Sequence, residues 1–222
     1  PKLLAGESYG TTRAAGLAKH LQDRHRIYIN GVILISAVLN FGTNDYAIGN
    51  DLPRALYVPS YTAAAWYHKK LSPALQARPL VEILKESEAW AIGEYASALI
   101  KGGWLSAEEK DTIAGKLAYW TGLSKELCLQ ANLRVDENRF YKSLRRADGL
   151  SVGRLDARFT GRDLDDAGEF VDFDPSFANI DGPFTSTIND YLEKELKFKE
   201  EKGYHVFGDV YPWSYKNVQN KY

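Results

Sequence analysis

Two patterns of apolar positions divide the chain. Over residues 1–44 short unbroken apolar runs bracket one amphipathic stretch: Leu3 to Ala5, then Thr11 to Gln22 with apolar or small residues at helical spacing, then Ile27 to Leu39. The last run contains Tyr28-Ile29 and Val32-Ile33-Leu34-Ile35 without polar alternation, which predicts a parallel strand buried on both faces, with a turn at Asn30-Gly31. The predicted order is strand, turn, helix, strand. Such a βαβ unit requires neighbouring strands that this chain does not obviously supply.

From about Thr43 onward the period becomes helical. Helices are predicted over Tyr61 to Leu71, over Pro79 to Lys101 with the stripe Leu80, Ile83, Leu84, Ala91, Tyr95 and Leu99, and from the capping box Ser106-Ala107-Glu108-Glu109 to Trp120. Gly102-Gly103 closes the second and Gly122 follows the third. Further helices are predicted at Lys125 to Ala131, Asp136 to Ala147 and Pro183 to Phe198, with a long Gly- and Asp-rich loop from Gly149 to Gly182. Residues 203–222 form an aromatic tail with Tyr204, Phe207, Tyr211, Trp213 and Tyr215. The fold class is therefore α/β: a partial core in residues 1–44 carrying a large, mostly helical insertion over residues 45–222.

Charge narrows the partners. With 28 basic and 29 acidic residues the formal charge is -1, so no strong field draws nucleic acid or an anionic membrane, and the expected partner is a small or neutral ligand. The single cysteine, Cys128, permits no internal disulfide and reads as a small buried residue. No run of about 18 apolar residues predicts a membrane span, and the first residues lack the basic start and apolar stretch of a signal peptide. Opening at Pro1 without a methionine and moving straight into an apolar run, the chain reads as an internal piece of a longer protein.

Chemistry concentrates at Gly6-Glu7-Ser8-Tyr9-Gly10, which fits the G-x-S-x-G nucleophile elbow. A serine hydroxyl attacks only if a sharp strand-to-helix turn thrusts it out, and flanking glycines, Gly6 and Gly10, let strand and helix approach closely. The residue after the serine, Tyr9, then turns its backbone N–H toward a developing oxyanion at a helix N-terminus. An apolar strand-like run before the motif and a helical pattern after it supply the context that the elbow requires.

Gly6-Glu7-Ser8-Tyr9-Gly10-Thr11, with Arg13 in the following helix, resembles the nucleophile segment of serine carboxypeptidases. Asn50-Asp51-Leu52-Pro53, the run from Pro59 through Tyr61 and Trp66 to His68, and Val152-Gly153-Arg154 through Phe159-Thr160-Gly161 resemble the bacterial branch of that family, so the likeness spans nearly the whole chain. The resemblance implies an α/β-hydrolase fold with an insertion over the active site, and hydrolysis of peptides from the C-terminus through an acyl-enzyme on Ser8. It implies that Glu7 binds the free C-terminal carboxylate, which requires a proton shared between the two acids, and that the protein is secreted or periplasmic. No metal or organic cofactor is implied. In this family the Asp and His of the triad lie on late core strands, and the loop giving the second oxyanion N–H precedes the nucleophile, so residues 1–222 are expected to lack all three and to be inactive in isolation. The remaining core polypeptide of the same protein, or a homo-oligomer, is the expected partner for the exposed strand edges. An esterase or acyltransferase on the same fold, and a non-catalytic cap or interaction module, are the alternatives.

Other candidates read as structural. His205 lies in the aromatic tail without the strand and loop a catalytic base needs; His68 packs in a helix near the cleft; His20 and His25 end a surface helix where cations suit the dipole. Asp163 to Glu169 resembles a calcium loop, but Ala167 stands at the fifth ligand position and Asp174 at the twelfth, so the segment reads as a solvated acidic loop.

Overall fold

The computed structural model describes residues 1–198, 204 and 206. It is a mixed α/β protein, mostly helical, with small sheets. Two compact units appear; among the described residues Pro1–Asp45 makes the first and Tyr46–Val206 the second.

In the first unit β1 (Leu3–Glu7) leads into α1 (Tyr9–His25) and returns as β2 (Gly31–Ile35), paired parallel with Leu3 opposite Gly31 and Glu7 opposite Ile35. α1 packs against both strands. It is longer than the predicted Thr11 to Gln22 at both ends, because Ser8 turns the chain sharply enough for Tyr9 to be helical at once, and Arg26 in the left-handed conformation closes the far end.

The expectation of a strand over Ile27 to Leu39 buried on both faces is corrected. Only Gly31–Ile35 is paired, and Val32, Ile33, Leu34 and Ile35 are 42, 50, 39 and 52% exposed. Side chains in a strand alternate between faces. Among the described residues one strand and one helix neighbour β2, too few to cover both alternate sets.

The second unit runs through α2 (Leu52–Leu56), α3 (Val58–Tyr67), α4 (Pro73–Gln76), α5 (Leu80–Trp90) and α6 (Ala96–Lys101), the last two joined by a π-helical turn at Ala91–Tyr95. α7 (Ala107–Thr121), α8 (Lys125–Gln130) and α9 (Glu137–Ser143) follow, then a short antiparallel pair, β3 (Ser151–Val152) with β4 (Thr160–Gly161), then α10 (Pro175–Lys194). Ala65, Ile83, Ala91, Leu117, Phe140 and Val152 are at the centre of its apolar core. α3 begins earlier than the predicted Tyr61 and stops at Tyr67, with the left-handed Lys69 beyond it.

Two further expectations change here. The predicted loop of residues 149–182 contains β3, β4 and the first eight residues of α10. α10 starts at Asp174-Pro175, whose carboxylate accepts from the Ser176 N–H, and Pro183 lies inside it and not at its start. Both prolines suit the first turn of a helix by sequence alone. Asp174 wins because it also takes the Arg154 N–H at 3.0 Å, from the bend that follows β3, 20 residues upstream. Phe207, Tyr211, Trp213 and Tyr215 of the aromatic tail lie outside the described residues.

Candidate active site

Ser8 connects β1 to α1 at φ 52° and ψ -123°. A residue with a β-carbon is strained there, at a cost on the order of 1–3 kcal/mol, and such strain persists only where the surroundings over-determine it. They do. The Ser8 N–H donates to the Ile35 carbonyl at 2.9 Å, continuing the β1–β2 pairing by one residue, and the Ser8 carbonyl accepts from the Thr11 N–H at 3.0 Å and the Thr11 hydroxyl at 2.6 Å.

A serine at the head of a helix usually caps it by accepting from the second or third N–H. The Ser8 hydroxyl makes no such bond, and the residue is exposed. The strand-to-helix bend rests on Gly6: a β-carbon there would sit 2.1 Å from the Gly10 carbonyl oxygen and 2.7 Å from the Thr11 nitrogen. Gly10 plays no equivalent part, since a β-carbon at Gly10 would meet nothing within 4 Å. The expectation that both glycines permit the close approach is therefore corrected to one.

Tyr9 is the first residue of α1, whose first turn carries no acidic side chain, so the positive end of the helix dipole is not neutralised from within the helix. Its ring is tilted 43° against Phe41 at 6.4 Å between centroids, in a short 3-10 turn, Phe41–Thr43, capped by Asn40. Glu7 ends β1. By alternation its side chain shares a face with Leu3 and Ala5, opposite the face on which Gly6 meets α1. Glu7 is exposed and makes no hydrogen bond or ion pair with the described residues. Arg13 is exposed on α1.

No histidine of the first unit reaches Ser8 among the described residues. His20 and His25 lie toward the other end of α1, about 17 Å of helix rise beyond Tyr9 for the nearer, with their own rings 5.2 Å apart. His205 lies outside the described residues. In the second unit His68 follows the last residue of α3 with both ring nitrogens engaged: Nε2 donates to the Ala157 carbonyl at 2.6 Å and Nδ1 accepts from the Arg145 guanidinium at 3.0 Å. Burial holds this imidazole below its usual range, opposed by the Ala157 bond and reinforced by the Arg145 cation. It is a neutral clamp between two segments and has no lone pair to offer a nucleophile.

The acidic loop is also corrected. Asp163 is not solvated: its carboxylate is 2% exposed and paired at 2.7 Å with Lys142, 4% exposed on α9, while it accepts from Ser151 Oγ and the Asp172 N–H. Asp165 accepts from the Ala167 and Gly168 N–H groups and Asp172 from the Leu164 N–H, so the carboxylates of a would-be calcium loop hold the loop's own backbone. Cys128 is buried, and burial pushes its thiol up to about 12, where it stays protonated.

Three arrangements were not apparent in the sequence. Thr11 and Thr12 bind the backbone of Val38 across 26 or 27 residues. Asp51 and Arg134 form a two-bonded ion pair at 2.8 and 2.7 Å, beside a cavity of about 700 Å³ also lined by Leu99, Ile100 and Trp104. Tyr46 and Tyr61 pair through their hydroxyls at 3.1 Å near Glu137, whose Oε2 is buried without a partner; burial raises that carboxyl above its usual range. A run of two threonines directly after the elbow was the only sequence signal for any of these. Comparisons with protein-family models, curated proteins and solved structures found no match.

Proposed function

We propose that Ser8 is the nucleophile of a serine carboxypeptidase-like hydrolase built on an α/β-hydrolase fold. The observation that carries the reading is the backbone of Ser8: an exposed β-carbon residue held at positive φ between a strand and a helix, with its hydroxyl not spent on capping. Ser8 Oγ attacks a peptide carbonyl, its proton passes to a base, and the tetrahedral oxyanion is met by the Tyr9 N–H at the positive end of α1. Collapse expels the C-terminal amino acid and leaves an acyl group on Ser8, which water then removes. Glu7, on the opposite face of β1 from the helix, receives the substrate's free carboxylate through a shared proton.

The base and its orienting acid come from polypeptide other than the described residues of the first unit, since His20 and His25 are remote along α1. Further strands of the same core, with the helices that pack on the faces of a parallel sheet, would at the same time cover Val32, Ile33, Leu34 and Ile35.

A fluorophosphonate probe tests the assignment on the full-length protein that contains residues 1–222. The expected result is one adduct, on Ser8, abolished by Ser8→Ala, with cleavage of free-acid peptides and slower action on C-terminally amidated ones. Modification elsewhere, or none, overturns it. Faster turnover of simple esters than of any free-acid peptide would instead favour an esterase on the same fold.

A further inference from the structure

The first turn of α1 contains two adjacent threonines that are both fully buried. Buried hydroxyls need partners, and here the partners are backbone groups of Ser8 and Val38. Thr11 Oγ1 accepts from the Val38 N–H at 2.9 Å and donates to the Ser8 carbonyl at 2.6 Å, while Thr12 Oγ1 donates to the Val38 carbonyl. Each hydroxyl has one proton. With Thr11's given to Ser8, the 3.3 Å approach of Thr11 Oγ1 to the Val38 oxygen is a secondary contact.

The bonds close a ring. Ser8 donates to Ile35, the chain turns at Ser36 with φ 50°, Val38 is held by both threonines, and Thr11 returns to the Ser8 carbonyl. Ser8 is thereby bound on both sides to one short segment.

The consequence follows from the planarity of the peptide bond. In a trans peptide the carbonyl of one residue and the N–H of the next lie in one plane and point in opposite directions. Whatever fixes the Ser8 carbonyl therefore fixes the direction of the Tyr9 N–H. We propose that Thr11 is a positioning residue for acyl transfer at Ser8: its hydroxyl locks the Ser8–Tyr9 peptide plane so that the Tyr9 N–H is aimed before charge develops on the substrate oxygen. Thr12 serves the clamp alone. It holds Val38 and touches nothing of the Ser8–Tyr9 peptide. This inference rests on the reading of Ser8 as nucleophile.

The experiment uses the full-length protein and a free-acid peptide substrate, with Thr11→Val, Thr11→Ser, Thr11→Cys and Thr12→Val. Thr11→Val is expected to lower kcat about tenfold or more, a fraction of what losing an oxyanion donor outright costs, with KM changed less than about twofold because the donor matters only once charge has formed. Thr11→Ser restores kcat to within about threefold of the parent. Thr11→Cys, a weak donor of similar size, falls between them and stands in if Thr11→Val does not fold. Thr12→Val, which empties the neighbouring buried hydroxyl that binds Val38 alone, keeps kcat. A kcat for Thr11→Val or Thr11→Cys equal to the parent, or an equal loss in Thr11→Val and Thr12→Val, overturns the proposal. Failure of the nucleophile reading is seen separately, as no fluorophosphonate adduct on Ser8 in the parent protein, while faster amide exchange at Val38 in Thr11→Val reads the clamp whatever the reaction.

Discussion

Gly6 lies so close beneath the first turn of α1 that a β-carbon on it would come within 2.1 Å of the Gly10 carbonyl oxygen. The two glycines of the elbow are thus unequal. Gly6→Ala forces strand and helix apart and is expected to cost about 3 kcal/mol, the upper range for overpacking a tight site. Gly10→Ala places its methyl in open space within a helix and is expected to be neutral or to stabilise by up to about 1 kcal/mol. Urea midpoints of the two variants check the contrast, and comparable losses in both would contradict it.

Lys142 and Asp163 form an ion pair that is almost wholly withdrawn from water, with the lysine also donating to the Asp165 carbonyl. Removing one partner leaves the other charge buried. Lys142→Met is expected to destabilise by about 3–5 kcal/mol, and the double change Lys142→Met with Asp163→Leu to recover most of that loss, because an apolar pair of similar volume carries no stranded charge. Equilibrium unfolding of the single and double variants measures the recovery.

His68 sets a pH dependence with a definite sign. Its folded-state pKa is depressed, so the neutral ring stabilises the fold above the unfolded value of about 6.5, and that contribution is lost as pH falls through the folded value. Protonation would set a second cation against Arg145 and remove the acceptor that binds it. His68→Gln, whose amide can donate to Ala157 and accept from Arg145 without titrating, is expected to flatten the fall in melting temperature between pH 7 and about 5. Parallel curves for the two proteins would contradict this role.

Glu137 acts in the opposite direction. Its pKa is raised chiefly by burial, with Asp136 adding to the rise and Tyr46 and Arg154 working against it. The protonated form therefore favours folding at low pH, and its contribution disappears as pH rises through the folded value. Glu137→Gln keeps the shape and removes the titration. Relative to the parent it should gain stability as pH climbs from about 4 to 7, read as a widening difference between the urea midpoints of the two proteins; a difference that does not change with pH would contradict this.

Contacts spanning a few residues were legible in the sequence. Ser106 and Glu109 form the reciprocal capping box that opens α7, Gly122 stops it in the left-handed conformation at φ 71°, and the long helical stripe after Pro79 appears as α5 and α6 joined by the π turn. Gly-x-Ser-x-Gly indicated a sharp turn between strand and helix, because few other residue choices tolerate one.

What required the tertiary structure was the destination of polar groups and the covering of apolar ones. Apolar content alone assigned burial to β2, yet Ile33 and Ile35 are half exposed, since burial depends on how many neighbours a strand has. Asp163 reads as solvent-facing until Lys142, 21 residues away, meets it in the interior. His68 reads as a structural histidine packed in a helix, but its partners, Arg145 and Ala157, lie 77 and 89 residues away and occupy both of its nitrogens. The sequence by itself determined the turns, caps and periods, whose energies arise between residues a turn apart. Only the folded chain decided which charges were paired and which hydroxyls held the elbow, because those energies depend on groups that hydrophobic periodicity does not link.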